Sequence, residues 1–520
     1  MLLFSLPEPM QYRLLAPASF VLSMLGLVAV ALLPQRRWWT VRGLGVLAMA
    51  GGLAALSPGR PPSRATFDPR SGQPVLAPPI EQRLLVVGID GADWTFMDKL
   101  LARGELPHVA ALRRRGAWGD LKTILPTLSP IVWTTIVTGQ PPARHGIQGF
   151  TERRLRGIDA PLLAIRPTND LGFPLLYERL RRGAVIHESL VTSASRRAPA
   201  FWNIATAHRS PVNVVSWWAT WPAEPIFGFM ATDRLYWAPL DERGLPRAPN
   251  QVTYPDALYR ELAPLVMRPA QVTIGDARAF MEVTPEQFEA MKAAPLHQPR
   301  ATIRSEFKYF LSMFETSRRV ALALIEKGRG RYNVAPDTLV LFRLVDNTCH
   351  MSLHPSELAE AEAQDPPQAV APYGRVVSEA YRRVDRALGE LLAAFGEGNV
   401  VVLSDHGFDL EPYRGTRRYN HSQGPDGIFL AAGPAFRPGP VANLTVYDMM
   451  PLLLAIKGFA AADNLAARVP ERVLAPGYLA RHPVRHVASF GPFSGLATPQ
   501  EVPAVESEML ERLRALGYVQ

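Results

Sequence analysis

Seven side chains that could carry chemistry stand beside short apolar runs of this sequence. They are Asp90, Ser129, Asp346, His350, Asp405, His406 and His421. Aspartate oxygen and histidine nitrogen are donors that borderline divalent cations prefer, and none of the set is a cysteine. Two cations about 3.5–4 Å apart are a common clamp for phosphoryl displacement. Six ligands and one hydroxyl are therefore enough for two cation sites beside a nucleophile.

Ser129 lies within the stretch 126–139. Pro130 follows it directly, and Gly139 ends the run. Serine is a favoured helix N-cap, proline suits the first helical position, and glycine suits the residue after the last turn. The pattern predicts a short buried helix over 130–138 with Ser129 as its cap. Because helix N-termini attract anions, the hydroxyl would stand where a phosphate can bind.

Alternating apolar runs and helical patterns indicate how these residues are positioned. Buried strands are predicted at 83–90, 117–123, 212–218, 338–346, 399–405 and 427–433, and helices at 106–115, 303–327 and 374–396. Such alternation favours an α/β fold with a mainly parallel sheet flanked by helices. Ligands bind beyond the carboxyl ends of such strands, which is where most of the seven residues fall. The long stretch within about 150–335 predicts an inserted cap region.

The first 80 residues differ from the rest in composition. The uncharged stretch Leu14–Gln35 is long enough to cross a bilayer, and a second uncharged stretch spans Gly43–Gly59. We predict a transmembrane hairpin anchor over 1–57 with the intervening arginines in the cytoplasm; one anchor with a surface-lying segment is the alternative. The Pro-rich residues 58–80 are predicted to form a linker. Either topology puts the following domain on the extracytoplasmic side of the inner membrane.

Composition narrows the class of protein. The chain has 520 residues, of which 48% are hydrophobic and 9% aromatic, so it is not mainly disordered. A single cysteine, Cys349, excludes a disulfide framework and a CxxC metal site. The net charge of +9 is spread along the chain and not gathered into a basic stripe, so nucleic-acid binding is not expected. Composition leaves the oligomeric state open.

The order of motifs resembles the alkaline phosphatase superfamily, and most closely its type I phosphodiesterase/nucleotide pyrophosphatase branch. The motifs are GIDG at 88–91, PTLSPIVWTTIVTG at 126–139, PARHGI at 142–147, DNTCH at 346–350, LSDHGF at 403–408 and NHSQGPDGIFLAAG at 420–433. The resemblance covers about 83–148 and 336–435 and is looser between them. It implies an alkaline-phosphatase-like core, a catalytic domain over 81–460 and a C-terminal extension over 461–520 that packs on that core.

The resemblance also implies roles for the seven residues. Asp346, His350 and His421 would hold one metal. Asp90, Asp405 and His406 would hold the second, which also touches Ser129. Ser129 occupies the nucleophile position and would form a covalent phosphoserine. The two divalent ions would be zinc, with manganese possible, and the substrate a phosphate ester. Relatives usually have threonine followed by Phe-Pro-Asn, where this chain has Ser129 and then Pro-Ile-Val, which makes nucleotide substrates less expected.

Three alternatives and several further residues complete the expectations. A sulfatase is disfavoured because Pro130 is one residue after Ser129, not two; a phosphoethanolamine or glycerol-phosphate transferase would use the same site; a tethered binding protein would bind no metal. His145 is expected to order a turn, and His354 is a candidate spare ligand. Lys122, Arg144 and Arg343 are candidate phosphate contacts. Trp217, Trp218 and Trp221 would line a cleft or fill the core.

Overall fold

The computed structural model describes residues 82–155, 186–237, 251–294, 302–358, 371–413, 416–491, 493 and 510. The predicted transmembrane hairpin and the linker over 58–80 lie outside these residues. So does the stretch 507–519, whose sequence predicts a short amphipathic helix, apart from Leu510, which packs against the core. Among the described residues, no helix has the length and apolar character needed to cross a membrane.

A ten-stranded sheet forms the centre of the described part. Its strands are β1 (Leu84–Ile89), β2 (Ala117–Lys122), β5 (Val212–Val215), β6 (Gly228–Ala231), β7 (Thr253–Tyr254), β8 (Asp337–Phe342), β9 (Asn399–Leu403), β12 (Gly427–Ala432), β13 (Gly439–Pro440) and β14 (Leu444–Thr445). The order is β13-β2-β12-β9-β1-β8-β5-β6-β7, with β14 also beside β2. All of these strands run in one direction except β12 and β7.

Three two-stranded sheets lie outside this path. They pair β3 (Thr151–Leu155) with β4 (Ile186–Leu190), β10 (Asp409–Tyr413) with β11 (Thr416–Asn420), and β15 (Ala461–Ala462) with β16 (His486–Val487). The β10–β11 hairpin connects β9 to β12. The chain therefore leaves the end of β9 and returns to the start of β12 at the same edge of the central sheet.

Helices cover both faces of the sheet. They are α1 (Trp94–Ala102), α2 (Pro107–Arg115), α3 (Ser129–Thr138), α4 (Pro142–His145), α5 (Phe201–Ala207), α6 (Leu258–Leu262), α7 (Ile274–Phe280), α8 (Pro285–Ala293), α9 (Ile303–Tyr332), α10 (Leu344–Ser352), α11 (Val376–Phe395), α12 (Met449–Lys457) and α13 (Tyr478–Arg481). One apolar core joins a face of β1 to α1, α2, α9, α10 and α11, and a second joins its other face to α3, α5 and α12. Alternate residues of a strand point to opposite faces, so both cores share β1.

Strand β1 is at the centre of this arrangement, between β8 and β9. All six of its residues are buried, as a continuous apolar run covered on two faces requires. It pairs in parallel with both neighbours, so that Gly88 lies opposite Leu341 and Leu403. The residues that follow β1, β8 and β9 consequently meet at one edge.

Helix α3 is buried along its whole length although its sequence is rich in β-branched residues. Packing overrides the modest helix propensity of these residues. The hydroxyls of Thr135 and Thr138 bond to the carbonyls of Ile131 and Thr134, at 3.0 and 2.7 Å, which satisfies them inside the core. The helix ends at Gly139, which has a φ of 63°.

Three sequence expectations differ from the structure. The helix begins at Ser129, and its N-cap is Leu128 without a side-chain bond, so Ser129 is not the cap. The strand predicted over 338–346 ends at Phe342, and Asp346 lies in the first turn of α10. The strand predicted over 212–218 ends at Val215. The strand predicted over 427–433 is present as β12, which is antiparallel to β9 and to β2.

The close contact of β1 with α3 generates a stability prediction. A Cβ at Gly88 would lie 2.7 Å from Trp133 Cη2 and 2.8 Å from Leu341 Cδ1. Gly88→Ala therefore forces α3 or β8 to shift, and we expect the free energy of unfolding to fall by about 1–3 kcal/mol, measured by urea denaturation.

Gly330→Ala is the matched control. Gly330 lies within α9, and a Cβ at this position would have no neighbouring atom within 4 Å. The same exchange there should raise the free energy of unfolding by about 0.5–1 kcal/mol. Equal effects of the two exchanges would contradict the packing argument.

Candidate metal centre and nucleophile

The six metal-ligand candidates come together at the carboxyl edge of the sheet. Asp90 directly follows β1, and the pair Asp405 and His406 follows β9. Asp346 and His350 lie one helical turn apart on α10, which follows β8. Because β12 runs against its neighbours, its amino end is at this same edge. His421 precedes β12 and lies there with Asp346 and His350.

Backbone contacts fix the spacing of the strand ends. The Asp90 N–H donates to the carbonyl of Phe342 at 2.9 Å, and the Asp346 N–H donates to the carbonyl of Asp90 at 3.0 Å. Gly91 has a φ of 76°, and a Cβ there would lie 2.9 Å from Asp346 Cα and from Phe408 Cε2. Gly91, the second glycine of the Gly-Ile-Asp-Gly motif, is thus required both by its positive φ and by the close approach of α10.

Asp346, His350 and His421 form the first cluster, with one candidate ligand atom from each lying within 4.8 Å of the others. His350 Nε2 is 3.2 Å from Asp346 Oδ1 and 3.0 Å from His421 Nε2. Thr127 Oγ1 donates to the backbone carbonyl of His421 and lies 3.1 Å from His421 Nδ1. The hydroxyl proton is thereby used, so Nδ1–H is the donor to Oγ1 and Nε2 keeps its lone pair toward the cluster.

Asp90, Asp405 and His406 form the second cluster, again with one candidate ligand atom from each within 4.8 Å of the others. His406 Nε2 is 3.6 Å from Asp90 Oδ1 and 3.5 Å from Asp405 Oδ2. His406 Nδ1–H donates to the Gly407 carbonyl at 3.1 Å, which leaves Nε2 unprotonated in the neutral ring. The His406 ring stacks on the His421 ring at 4.0 Å between centroids, so the two clusters are neighbours.

Burial shifts the protonation equilibria of both clusters. Burial, with repulsion from Asp346, raises the pKa of Asp90 to about 7, although Arg343 opposes the rise. Burial, with the nearby Asp90 and Asp346 carboxylates, raises the pKa of Asp405 well above its usual range. Burial would likewise raise the pKa of Asp346, but His350 and the other imidazoles hold it below its usual value. Three buried carboxylates at one edge therefore repel one another unless positive charge stands among them.

The histidines show the complementary effect. Burial lowers the pKa of His406 to about 4 and, with the two neighbouring imidazoles, lowers the pKa of His421 well below its usual value. Both rings are neutral at pH 7, which is the form that ligates metal ions.

The residues present fit a divalent metal. Asp405 Oδ2 and His406 Nε2 are buried and have no hydrogen-bond partner. Buried polar atoms are rarely left in this way, and a cation would supply the missing partner for both. The donor set of carboxylate oxygens and imidazole nitrogens suits zinc or manganese.

Ser129 stands beside the second cluster. Its side chain is buried, and Oγ donates to Asp90 Oδ1 at 3.3 Å. The N–H groups of Ile131 and Val132 already bond to the Leu128 carbonyl at 2.8 and 3.2 Å. The start of α3 therefore contributes its dipole to the site, while these two N–H groups are occupied within the helix.

Other candidates separate into residues near the site and residues away from it. Trp218 donates from Nε1 to Asp90 Oδ2 at 3.3 Å, whereas Trp217 is fully buried and packs against Trp133. Arg343 stacks on Trp218 and acts on Asp90, but Arg144 is exposed and bonds to the Asn464 carbonyl.

The remaining candidates are outside both clusters. Lys122 is the exposed last residue of β2, and its charge acts on Asp426. Trp221 belongs to the core, with the Arg234 guanidinium 4.0 Å from its ring centroid. His354 belongs to neither cluster found among the described residues.

Sequence reasoning missed Thr127 and did not choose between the roles of Trp218. Thr127 lies two residues before Ser129, and its contact with His421 joins positions 294 residues apart in the chain. No local pattern marks that pairing, because it depends on β12 running antiparallel. For Trp218, the sequence signal was its place in the pair Trp217–Trp218. Only the structure shows which of the two rings lies at the site and which lies in the core.

His145 orders the turn after α3, as expected. It is completely buried, its Nδ1 accepts the Ile147 N–H at 3.2 Å, and its Nε2 lies 3.0 Å from Thr135 Oγ1. Since the Thr135 hydroxyl donates to Ile131, Nε2–H is the donor in that contact, and the neutral ring satisfies both of its nitrogens.

Comparison with known proteins points in one direction. The family model described as type I phosphodiesterase / nucleotide pyrophosphatase matches residues 84–446. Among solved structures, an inactive murine ectonucleotide pyrophosphatase/phosphodiesterase 5 in complex with AMP is 14% identical, with a TM-score of 0.40, covering 76% of this chain and 100% of that chain. The human protein of the same name is 13% identical, with a TM-score of 0.41 and the same coverage.

A bacterial structure is also similar. Phosphonoacetate hydrolase from Sinorhizobium meliloti, in complex with phosphonoformate, is 15% identical with a TM-score of 0.34, covering 64% of this chain and 58% of that chain. No curated protein matches the sequence significantly.

The buried His145 generates a pH prediction. Burial, with the charge of Arg196, lowers its pKa to about 3, while the unfolded chain takes up the same proton near pH 6.5. Stability is therefore present above pH 6.5 and falls as the pH drops toward 3. Between pH 7 and pH 5, this histidine should remove about 2 kcal/mol from the free energy of unfolding.

His145→Gln should flatten this dependence, because glutamine does not titrate. Urea unfolding of both proteins at pH 7 and pH 5 measures the difference, and the variant should lose about 2 kcal/mol less than the natural protein over that interval. Parallel curves would show that His145 is not kept neutral in the folded state.

Proposed function

We propose a two-metal site with Ser129 as its nucleophile, because this chain belongs to the type I phosphodiesterase / nucleotide pyrophosphatase family of metal-dependent phosphoric ester hydrolases. Asp346, His350 and His421 would hold one ion and Asp90, Asp405 and His406 the other. Zinc is the expected metal, and manganese suits the same donors. The substrate is a phosphate ester, either a monoester or a diester.

The position of the Ser129 hydroxyl is the single observation that carries this proposal. It is buried at the start of α3, and its hydrogen bond to Asp90 Oδ1 puts it against the second cluster. The hydroxyl thus lies against a cluster of two buried carboxylates and one imidazole, and a second cluster of one carboxylate and two imidazoles lies beside it. Titratable groups with shifted pKa values that gather around a hydroxyl support a catalytic site.

The reaction balances through the chain's own groups. Ser129 Oγ would form a bond to phosphorus as the bond from phosphorus to the leaving oxygen breaks. The hydroxyl proton would leave Oγ along its hydrogen bond to Asp90 Oδ1 and end on the leaving oxygen, which gives a phosphoserine and an alcohol. Asp90 Oδ1, which accepts the hydroxyl hydrogen bond in the structure, orients the Oγ lone pair toward the phosphate. Water would then attack phosphorus, the bond from phosphorus to Oγ would break, and a proton of that water would return to Oγ. Metal ions held by the six ligands would supply Lewis-acid stabilisation of the charged oxygens.

A transferase of the phosphoethanolamine or glycerol-phosphate type would share the first step and differ in the second. The acceptor would then be an alcohol of a lipid or glycan instead of water. The geometry around Ser129 suits both outcomes, and family membership favours hydrolysis.

We also propose the domain arrangement that the sequence predicts: a catalytic domain over 81–460, an extension over 461–520, and a cap drawn from 150–335. Strands β5 and β6 and helix α9 lie in the central layers, so the cap would come from the rest of that stretch. The β3–β4 hairpin and helices α6 to α8 are its described candidates. We expect no nucleic-acid partner.

Ser129→Ala tests the nucleophile. The variant should keep the metal content of the natural protein, because the six ligands remain, and should lose more than about 10³-fold in kcat toward aryl phosphate monoesters and diesters. Metal per chain is measured by elemental analysis and turnover by release of the aryl alcohol.

Ser129→Thr is the control, since it restores a hydroxyl at the same position and should recover much of the activity. Product analysis with and without a lipid or glycan alcohol separates transfer from hydrolysis. An alanine variant that keeps most of its turnover would refute the assignment of Ser129.

The anchor is a further proposal. Residues 1–57 would form a membrane hairpin, with the catalytic domain on the extracytoplasmic side of the inner membrane. The full chain should remain in the membrane pellet after alkaline extraction, and protease added to spheroplasts should digest the domain after residue 80. A chain that alkali releases would contradict an integral anchor, whereas protection from protease would contradict the orientation.

A further inference from the structure

The loop after β5 is conformationally unusual. Ser216 and Ala219 both adopt the left-handed region, with φ of 56° and 55°, although neither is glycine. Asp233 holds the loop by accepting from the Ala219 N–H at 3.1 Å and from Thr220 Oγ1 and the Trp221 N–H at 3.2 Å each. Such a conformation costs free energy and persists where the surroundings impose it, often beside a functional site.

The strained loop presents Trp218 to Asp90. The indole Nε1–H donates to Asp90 Oδ2 at 3.3 Å. The other oxygen, Oδ1, accepts from Ser129 Oγ at 3.3 Å and lies 3.6 Å from His406 Nε2. The two oxygens of the Asp90 carboxylate therefore have different partners. Oδ2 accepts from the indole, and Oδ1 faces the Ser129 hydroxyl and His406.

Trp218 is itself held in place. The Arg343 guanidinium carbon lies 3.6 Å from the centroid of the Trp218 ring, and Arg343 Nη2–H donates to the Ser216 carbonyl at 3.0 Å. Phe150 contacts the ring edge-on at 5.4 Å between centroids. Arg343 follows β8 and the loop follows β5, so neighbouring strands supply both halves of the stack.

We propose that Trp218 is a positioning residue for the metal site: its N–H fixes the orientation of the Asp90 carboxylate, and Arg343 holds the indole. The inference rests on the proposed function, because it takes Asp90 as a ligand. Partners that orient ligating groups in this way commonly contribute about 10–100-fold to metal affinity.

Trp217 shows what a purely structural tryptophan looks like in this chain. It is fully buried, its Nε1 donates to the backbone carbonyl of Trp133 at 3.3 Å, and it packs edge-on against the Trp133 ring. The neighbouring Trp218 makes a hydrogen bond of the same length, but to a candidate ligand. The pair therefore provides a matched comparison.

Trp218→Phe is the main test, since it removes the N–H and keeps a ring beneath Arg343. The full-length protein, stripped with a chelator, is titrated with Zn²⁺ in competition with a chromophoric chelator. We expect the affinity of one of the two Zn²⁺ equivalents, the one assigned to Asp90, Asp405 and His406, to fall about 10–100-fold. The visible spectrum of the Co²⁺-loaded variant should also change, because the ligand geometry at Asp90 changes.

Trp217→Phe is the control, and its Zn²⁺ affinity and Co²⁺ spectrum should match those of the natural protein. Arg343→Lys is a second variant that keeps the charge and loses the planar stack, and it should weaken Zn²⁺ binding as well, by a smaller factor. Natural affinity and an unchanged spectrum in both Trp218→Phe and Arg343→Lys overturn the inference while leaving the proposed function standing. A natural protein that takes up no Zn²⁺ overturns the proposed function and the inference together.

Discussion

The arrangement of this protein depends on the electrostatic cost of burying three carboxylates at one edge of a sheet. Asp90, Asp346 and Asp405 are each almost inaccessible to water, and burial together with mutual repulsion raises the pKa of Asp90 and of Asp405. Folding tolerates the cost because the strand ends are held by backbone hydrogen bonds and because imidazole rings stand among the acids. Divalent cations would remove most of the repulsion, so that the same constraint that destabilises the metal-free edge gives the edge its affinity for metal.

Much of this site follows from the sequence alone. An apolar run that ends in an acid marks the carboxyl end of a buried strand, and parallel strands bring such ends together; β1 and β9 behave in this way. The resemblance of the ordered motifs to one family added the assignment of the chain, which the family model over 84–446 supports. The α/β class with a mostly parallel sheet was predictable for the same reason.

Other parts could not be read from local patterns. Six apolar residues look the same whether a strand runs with or against its neighbours, so the reversal of β12 was invisible, and with it the contact of Thr127 with His421. Asp346 belongs to a helix because β8 stops at Phe342, a boundary that short apolar runs do not mark. Ser129 was expected to cap its helix, but its hydroxyl bonds to Asp90 instead, since tertiary contacts at the sheet edge override a local capping preference.

The β10–β11 hairpin has a consequence for how such a protein can diverge. It begins at Asp409, shortly after His406, and ends at Asn420, next to His421, and these two end residues are paired across the ladder. A change in the number of residues between the two strands would leave that pairing, and hence the two imidazoles, where they are, because the entropic cost of closing a loop grows only slowly with its length. The chain can therefore gain or lose residues between two of its candidate metal ligands without altering the distance that separates them.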